Sequence, residues 1–247
     1  MSPLRILLLA ATAAALTVPT VTAASAGSPP QPIATLKGSI SPSRNLTPGT
    51  PLDFTLDTRF TSVPPHADLV LQRLVYLFPH GTAINGRLFP ACAAAMLRRA
   101  RGRLRACPPG SKIGAGTAGG TAVALGVTSR ATVTLFNGPG GRSVTMNVHV
   151  TTPALIDATF SAPFVSLHGR YANKLTVTLP PELKTILDGD IVTSYIHVTT
   201  GATRLVHGVR RGYVEALRCP RSGRAHIHGD FTFEGGATTS ADTTVPC

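Results

Sequence analysis

The sequence predicts an all-β fold: an antiparallel β-sandwich or jelly roll with one short helix in a disulfide loop. Short segments in which apolar and polar residues alternate recur along most of the chain, which is typical of strands with one buried face. Clusters of Gly, Pro, Asn and Ser separate these segments about every ten residues, as in sandwiches and jelly rolls. Apolar residues at helical spacing are clearest in one short segment. These patterns predict about nine to twelve strands.

The predicted strands begin near residue 52. Leu52 and Leu56 alternate with polar residues, as expected for a half-buried strand. Residues 70–78 are apolar on both faces, which is typical of a central strand. The remaining predicted strands are residues 130–136, 143–150, 174–179, 191–199, 204–217 and 225–234. The first two of these flank Asn-Gly-Pro-Gly-Gly and predict a hairpin, in which every second residue from Val144 to Val150 is apolar.

Helix is predicted mainly at residues 90–101, where alanine and leucine recur at helical spacing after a proline. A helix running unbroken to Cys107 would hold that residue about 22 Å from Cys92, which is too far for a disulfide. If these cysteines pair, the chain must reverse between them, and Gly102 is the residue able to do so. A second short helix is predicted at residues 181–187.

The N-terminal segment predicts export. Residues 1–26 contain one arginine, an apolar run, a proline and small residues, the pattern of a secretory signal peptide with cleavage after Ala23 or Ala26. Residues 27–33 are small and Pro-rich, and we interpret them as a linker. We expect residues 34–247 to form a single β-sandwich domain, with two subdomains as the alternative. We expect the mature protein to be secreted and extracellular.

Export favours disulfide bonding of the cysteines, which are Cys92, Cys107, Cys219 and Cys247. Four cysteines permit three connectivities, of which we favour the sequence-local pairs Cys92–Cys107 and Cys219–Cys247. A zinc site would need C-x-x-C or histidine spacing near these cysteines, and no such spacing is present.

Positive charge is concentrated in one central segment. The chain has a formal net charge of +12, and between Asp68 and Asp157 it contains ten Lys or Arg and no acidic residue. Guanidinium groups bind phosphates and carboxylates well, although a solvated basic surface without a ligand explains the same pattern. The candidate polyanion-binding residues lie inside the first predicted disulfide loop and are Arg98, Arg99, Arg101, Arg103 and Arg105.

These arginines indicate the expected partners. Outside a cell they would bind an anionic cell-envelope polymer or a membrane surface. Nucleic acid is not expected, because the chain is predicted to be exported and lacks aromatic residues interleaved with the basic ones for base stacking.

Residues 114–119 spell Gly-Ala-Gly-Thr-Ala-Gly, a formal match to the dinucleotide-binding pattern G-x-G-x-x-G. That site needs a strand before the glycines, a helix after them and an acidic residue about 20 positions on. Here Pro108 and Pro109 precede the glycines, and a Val- and Thr-rich segment follows. The residues therefore predict a glycine-bearing turn and strand leaving the disulfide loop.

Histidines supply the candidate metal ligands. His226 and His228 share one face of a predicted strand, and His149 and His197 lie on other strands. Alternation places all four on polar faces, which favours solvent-facing histidines. No nucleophile elbow or S-x-x-K motif is present, so the sequence favours a protein without enzymatic activity and predicts no cofactor.

The segment from residue 74 to 118 carries Pro-x-Gly-Thr, Phe-Pro-x-Cys, a short Arg-rich helix and Cys-Pro-x-Gly-Ser-x-Ile-Gly-x-Gly. A later Cys-Pro, Phe231-Thr232-Phe233 and a final Pro-Cys accompany these elements. In them the chain resembles a group of uncharacterised exported two-disulfide β-rich proteins of GC-rich actinobacteria. The resemblance implies export, a β-rich fold and local cysteine pairing, and it assigns no activity.

The functional expectation is a non-enzymatic, exported β-sandwich that associates with the cell envelope or binds polyanions through its arginines. The alternative is a small metal- or carboxylate-dependent hydrolase or lyase on a jelly-roll scaffold, in which His226, His228 and an acidic residue would converge. A third hypothesis is a purely structural surface domain without a ligand.

Overall fold

The structure, a computed structural model, describes residues 30–44, 46–63, 69–186 and 189–247. The predicted signal peptide, residues 1–26, lies outside the described residues. The first strand begins at Gln31, so the last three residues of the predicted linker belong to that strand.

Most of the described chain is β-strand. The first eight strands are β1 (Gln31–Ser41), β2 (Asp53–Val63), β3 (Leu71–Pro79), β4 (Thr82–Ile84), β5 (Lys112–Ala122), β6 (Val127–Asn137), β7 (Ser143–Thr152) and β8 (Ile156–Ser166). The others are β9 (Tyr171–Thr178), β10 (Thr185–Ile186), β11 (Gly189–Thr200), β12 (Thr203–Val206), β13 (Val209–Gly212), β14 (Val214–Ala216), β15 (Arg224–Phe233) and β16 (Thr238–Pro246). The all-β prediction is confirmed.

Twelve strands form one antiparallel sheet that curls into a nearly closed, sandwich-like barrel. Their order is β1-β2-β11-β5-β6-β7-β8-β9-β3-β15-β16, with β10 attached to β11. The first and last strands of this order, β1 and β16, pack against each other and so nearly close the sheet. There the Gly38 amide donates a hydrogen bond to Thr243 Oγ1 over 3.3 Å. Apolar residues that alternate along each strand therefore face a common interior.

The interior is aliphatic along β6 and β7 and aromatic near β3 and β15. Val144, Val148 and Val150 are buried, as the alternation predicted. The Phe60 ring meets the Phe231 ring edge-on, with centroids 5.1 Å apart. The Phe233 ring packs against Phe60 in the same way. These aromatic side chains fill one part of the barrel, and the space beside them is the cavity described below.

The one α-helix of the described residues, α1 (Ala94–Arg99), lies outside the barrel against β7 and β8. It is shorter than the predicted 90–101, because the chain ahead of it is extended and the Cys92 amide bonds to the Asn137 carbonyl. At its end the Gly102 amide donates to the Leu97 carbonyl and the Arg101 amide to the Arg98 carbonyl, the hydrogen bonds of a Schellman motif. No helix of the described residues is long and apolar enough to cross a membrane.

Both predicted disulfides form. The Cα atoms are 5.2 Å apart in Cys92–Cys107 and 5.6 Å apart in Cys219–Cys247. The chain reverses between the first pair as predicted, and it uses two consecutive residues with positive φ, Arg101 and Gly102. α1 lies inside this disulfide loop, as the sequence predicted.

Two local predictions are wrong. Residues 204–217 form a hairpin, β12 and β13, followed by β14, because His207 and Gly208 both take positive φ and turn the chain sharply. The described part of the predicted helix 181–187, residues 181–186, is a short 3-10 turn followed by β10 rather than an α-helix. Here Thr185 and Ile186 pair with Asp190 and Gly189 of β11, so tertiary pairing overrides helix propensity.

Candidate functional site

The barrel encloses an apolar cavity of about 430 Å³. Its wall is formed by the inward-facing side chains of the large sheet and by the segments that cover one end of the barrel. Binding sites for small molecules are typically concave, mostly apolar and of this order of size. Representative wall residues are Leu56, Leu74, Val133, Val148, Val177 and Ile227.

The glycines of β5 help to leave this space open. Gly114, Gly116 and Gly120 lie so close to β11 that an added Cβ would collide with backbone oxygens of Thr199, His197 and Val192. Gly120 and the neighbouring Ala118 and Gly119 line the cavity. A strand of small residues thus contributes backbone to the wall and almost no side-chain volume.

The G-x-G-x-x-G match does not form a dinucleotide-binding loop. Residues 114–119 lie inside β5, which pairs with β6 on one side and β11 on the other. Their backbone therefore serves a β-ladder, and β6 follows β5 after a short 3-10 turn. The predicted strand is confirmed, and the glycines meet a packing requirement of the barrel.

One polar side chain of the cavity wall, Tyr76, is paired with the buried Thr58. The Thr58 hydroxyl and the Tyr76 phenol hydrogen-bond over 2.8 Å, and both residues are buried. Desolvation by burial raises the pKa of Tyr76 to about 12, although the hydrogen bond from Thr58 opposes this rise. Tyr76 is therefore an uncharged wall residue whose hydroxyl already has a partner.

Two other wall hydroxyls have no such partner. Tyr213 is 2% exposed, and its phenol oxygen is buried without a hydrogen-bond partner among the described residues. Thr200 Oγ1 is in the same situation, and both residues line the cavity. The Tyr213 amide donates to the Ala202 carbonyl over 2.8 Å, two residues beyond Thr200, so both side chains lie at the same end of the cavity. Burial raises the pKa of Tyr213, which keeps its phenol a neutral donor.

A network of hydrogen bonds fixes Tyr213 in place. The Asn85 amide donates to the Tyr213 carbonyl over 2.8 Å, and the Phe89 ring meets the Tyr213 ring edge-on at 5.5 Å. Phe89 is fixed in turn because Asn137 Nδ2 donates to its carbonyl over 2.9 Å. These contacts hold β14 and the segment around Phe89 as a cap over this end of the barrel.

An ion pair anchors the same cap. Glu215 is 1% exposed, and Arg211 donates to both of its carboxylate oxygens over 2.8 and 2.9 Å. The Gly212 amide adds a third hydrogen bond of 2.8 Å. Hydrogen bonding from Arg211 lowers the pKa of Glu215 against the desolvation that raises it. Arg211 is thus engaged in holding the cap next to Tyr213.

Seven residues of the described cavity wall are exposed. The exposed ones are Thr47, Pro48, His80, Leu217, Arg218, Cys219 and Pro220. They lie on three segments that meet at the cap, and we call these seven residues the mouth. The Gly81 carbonyl accepts hydrogen bonds from the Leu217 and Arg218 amides, which joins two of the segments. The Gly49 amide donates to the Ala216 carbonyl over 2.8 Å, which joins the third segment, and the Cys219–Cys247 disulfide ties residues 217–220 to the C-terminal residue.

Charge is confined to this mouth. Within the described wall, the residues that can carry a positive charge are His80 and Arg218, and both are exposed. The deeper wall holds no Asp, Glu, Lys or Arg among those residues. The cavity can therefore hold an apolar body, with hydrogen bonding at Tyr213 and Thr200 and positive charge only at its rim.

The candidate polyanion-binding arginines lie elsewhere, on α1 and the rest of the first disulfide loop. Arg98 donates to the Thr159 carbonyl and Arg99 to the Ala95 carbonyl, which are neutral acceptors. All five predicted residues are exposed, and none of them forms an ion pair within the described chain. The arginine loop, residues 98–105, therefore presents positive charge on the outer wall of the barrel, with the Asp157 carboxylate packed beside Gly102.

The candidate metal ligands face outward. His228 lies between two carboxylates, with Nδ1 2.7 Å from Asp242 and Nε2 3.0 Å from Asp230. His226 contacts Asp242 at 3.4 Å and the Tyr171 hydroxyl at 3.2 Å. Within the described residues the structure gathers no set of three side chains able to hold a metal ion. The two histidines and an acid do converge, but on the outside of the barrel and not in its cavity.

The two other histidines that the sequence singled out also face outward and lie beside aspartates. His149 is 2.8 Å from Asp157, its cross-strand neighbour on β8. His197 is 3.3 Å from Asp57, its cross-strand neighbour on β2. The structure therefore separates these histidines from His226 and His228 and gives each its own carboxylate.

Sequence reasoning missed the cavity and its polar end. Alternation predicts which side chains face inward, but the volume left among them depends on how the sheet closes. The small residues of β5 could have indicated that space. Nothing in the sequence indicated the role of Tyr213, because residues 204–217 were predicted to be one strand. Comparisons with protein-family models, curated proteins and solved structures found no match to this chain.

Proposed function

We propose that this protein binds and carries an apolar small molecule in the cavity of its barrel, without catalysing a reaction. The apolar cavity of about 430 Å³, open at the mouth, is the observation that carries the proposal. Burying an apolar ligand against such walls is favourable by about 25 cal/mol per Å² removed from water. The residues of the mouth provide a route between the cavity and the solvent.

The setting supports a protein that works outside the cytoplasm. Two disulfides close in the structure, and such bonds persist in oxidising compartments. Together with the signal-peptide pattern, they favour a secreted carrier that meets its ligand at or beyond the cell envelope.

Binding of N-phenyl-1-naphthylamine, a fluorophore that brightens in apolar surroundings, tests the proposal. We expect saturable binding at one site per chain. Ala118→Phe places a ring in the cavity and should weaken binding about tenfold or more, whereas Thr117→Phe, on the exposed face of the same strand, should not. Absence of saturable binding, or equal loss in both variants while both remain folded, would refute the carrier function.

A second candidate function is attachment to an anionic surface through the arginine loop. Its five arginines lack ion-pair partners in the described chain, and the exposed side chains of Met96 and Leu104 accompany them. A basic patch that includes apolar side chains suits a surface of anionic lipid headgroups. This function would bring the carrier to the envelope and is compatible with ligand binding.

Co-sedimentation with vesicles of phosphatidylglycerol and phosphatidylcholine tests the attachment. We expect binding that weakens steeply with salt and that falls in the triple variant Arg99→Gln, Arg103→Gln, Arg105→Gln. The matched control replaces Arg44, Arg87 and Arg221, which are exposed elsewhere, with Gln and so removes the same charge. An equal loss in both variants would show that net charge alone acts, and the loop would then have no special role.

A further inference from the structure

Two residues that line the cavity, Tyr213 and Thr200, carry buried hydroxyls without a partner among the described residues, and these indicate the class of ligand. We propose that the ligand is a long apolar molecule with one uncharged oxygen acceptor, such as an alcohol, ketone or ester, bound at Tyr213 Oη and Thr200 Oγ1. This inference rests on the proposed carrier function. It adds the chemical class of the ligand and its orientation in the barrel.

A buried hydroxyl that makes no hydrogen bond costs folding free energy. Most buried polar groups in folded proteins have a partner, and one left without a partner destabilises the fold. The Tyr213 hydroxyl is buried without a partner among the described residues, while Tyr76 in the same cavity wall is paired with Thr58. A ligand oxygen at Tyr213 would supply the missing acceptor.

Hydrogen bonds and ring packing hold Tyr213 rigidly in place. Its carbonyl accepts from the Asn85 amide, its own amide donates to Ala202, and its ring packs against Phe89. The backbone around it is pinned further by the three hydrogen bonds to the Glu215 carboxylate. The phenol is therefore held in one position before a ligand arrives, which favours its use as a fixed donor.

In the described cavity wall, no positively charged side chain lies beside Tyr213. The positively charged candidates, His80 and Arg218, belong to the exposed mouth. A carboxylate or phosphate carried into the apolar interior would lose its hydration without gaining an ion pair. Because burial raises the pKa of Tyr213, the phenol also stays protonated and needs an acceptor. An uncharged oxygen meets both conditions.

Thr200 provides a second hydroxyl that would orient the ligand oxygen. Its Oγ1 is buried and unpartnered, and Thr200 lines the cavity at the end of β11, two residues before Ala202. A hydroxyl can donate and accept, so a ligand alcohol could accept from Tyr213 and donate to Thr200, while a ketone would accept from both. The alkyl body would then extend along the aliphatic wall around Val148.

Displacement of N-phenyl-1-naphthylamine by decane, 1-decanol, 2-decanone and decanoate tests the inference. We expect 1-decanol and 2-decanone to displace the probe at concentrations about tenfold lower than decane. Tyr213→Phe should remove most of that preference, and Thr200→Val should reduce it further. Tyr76→Phe is the matched control, because Tyr76 also lines the cavity but its hydroxyl already bonds to Thr58, so the preference should persist.

The outcomes separate the two proposals. If the probe does not bind at all, the carrier function itself fails. If the probe binds but decane competes as well as 1-decanol, or Tyr213→Phe leaves the preference intact, only the ligand class is wrong. A preference for decanoate that disappears in Arg218→Gln would place an anionic head at the mouth and would overturn the inference. Thermal melts show whether each variant is folded.

Discussion

Arg211 holds the carboxylate of Glu215 with two hydrogen bonds, of 2.8 and 2.9 Å, although the Glu215 side chain is almost completely buried. This pair lies two residues from Tyr213, on the cap at the mouth end of the cavity. A buried carboxylate is stable only when its oxygens are paired, so the order of the cap depends on this contact.

We predict that Glu215→Gln lowers the free energy of unfolding by about 2 kcal/mol, because the charged hydrogen bonds to Arg211 are lost in a buried site. Urea denaturation measures the change. Arg210→Gln is the control, since Arg210 is exposed and within the described chain donates only to Thr203 Oγ1. An effect of Glu215→Gln no larger than that of the control would show that the pair does not hold the cap.

The same pair predicts a dependence on acidic pH. The pKa of Glu215 is lowered in the folded protein, so its stabilising contribution is complete above the pKa of an unfolded glutamate. It is lost as the pH falls through the lowered folded value. The wild-type protein should therefore lose stability below about pH 4.5 more steeply than Glu215→Gln does. Identical pH profiles of unfolding by urea would contradict this assignment.

The sequence predicted which residues face the interior of the barrel better than it predicted the cavity among them. Alternation from Val144 to Val150 placed the right residues inside, since one face of an antiparallel strand has to be buried. Local spacing predicted both disulfides. The unpartnered Tyr213 could not be foreseen, because its environment is set by contacts with Asn85, Phe89 and Ala202, which are distant in sequence. Propensity does not encode the volume left when such segments meet.

His228 predicts a second, opposite pH dependence. Desolvation lowers the pKa of His228, but hydrogen bonds and charge from Asp242 and Asp230 outweigh it, and the pKa lies above its ordinary value. Tyr171 and His226 complete its surroundings. A raised histidine pKa stabilises the fold fully below the unfolded value of about 6.5, and this contribution is lost as the pH rises through the folded value.

Replacing His228 with Gln should therefore cost more stability near pH 5.5 than near pH 8.5, by up to about 1 kcal/mol. Urea denaturation at the two pH values gives the difference. His168→Gln, at an exposed position between β8 and β9, is the control and should show no such change. A cost that is independent of pH would mean that the carboxylates do not stabilise the charged imidazole.

Gly81 at the mouth is predicted to be irreplaceable. Its φ is +107°, and an added Cβ would collide with the Arg218 carbonyl oxygen, a backbone atom fixed by the hydrogen bonds between the two segments. Gly223 also has a positive φ, of +68°, but has open space around it. We expect Gly223→Ala to cost about 1 kcal/mol and Gly81→Ala clearly more. Equal costs would show that the collision is relieved by movement of the mouth.

The Cys219–Cys247 disulfide should stabilise the fold and shape the mouth together. It spans 28 residues, and by the loop-entropy model its removal in the double variant Cys219→Ser, Cys247→Ser costs about 3.5 kcal/mol. Because Cys219 and Cys247 line the cavity, this variant should also weaken binding of N-phenyl-1-naphthylamine. The Cys92–Cys107 disulfide lies outside the cavity wall, so its double Ser variant should lose stability and keep the probe affinity in the folded state. Equal loss of affinity in both variants would show that the probe responds to stability and that the mouth does not shape the site.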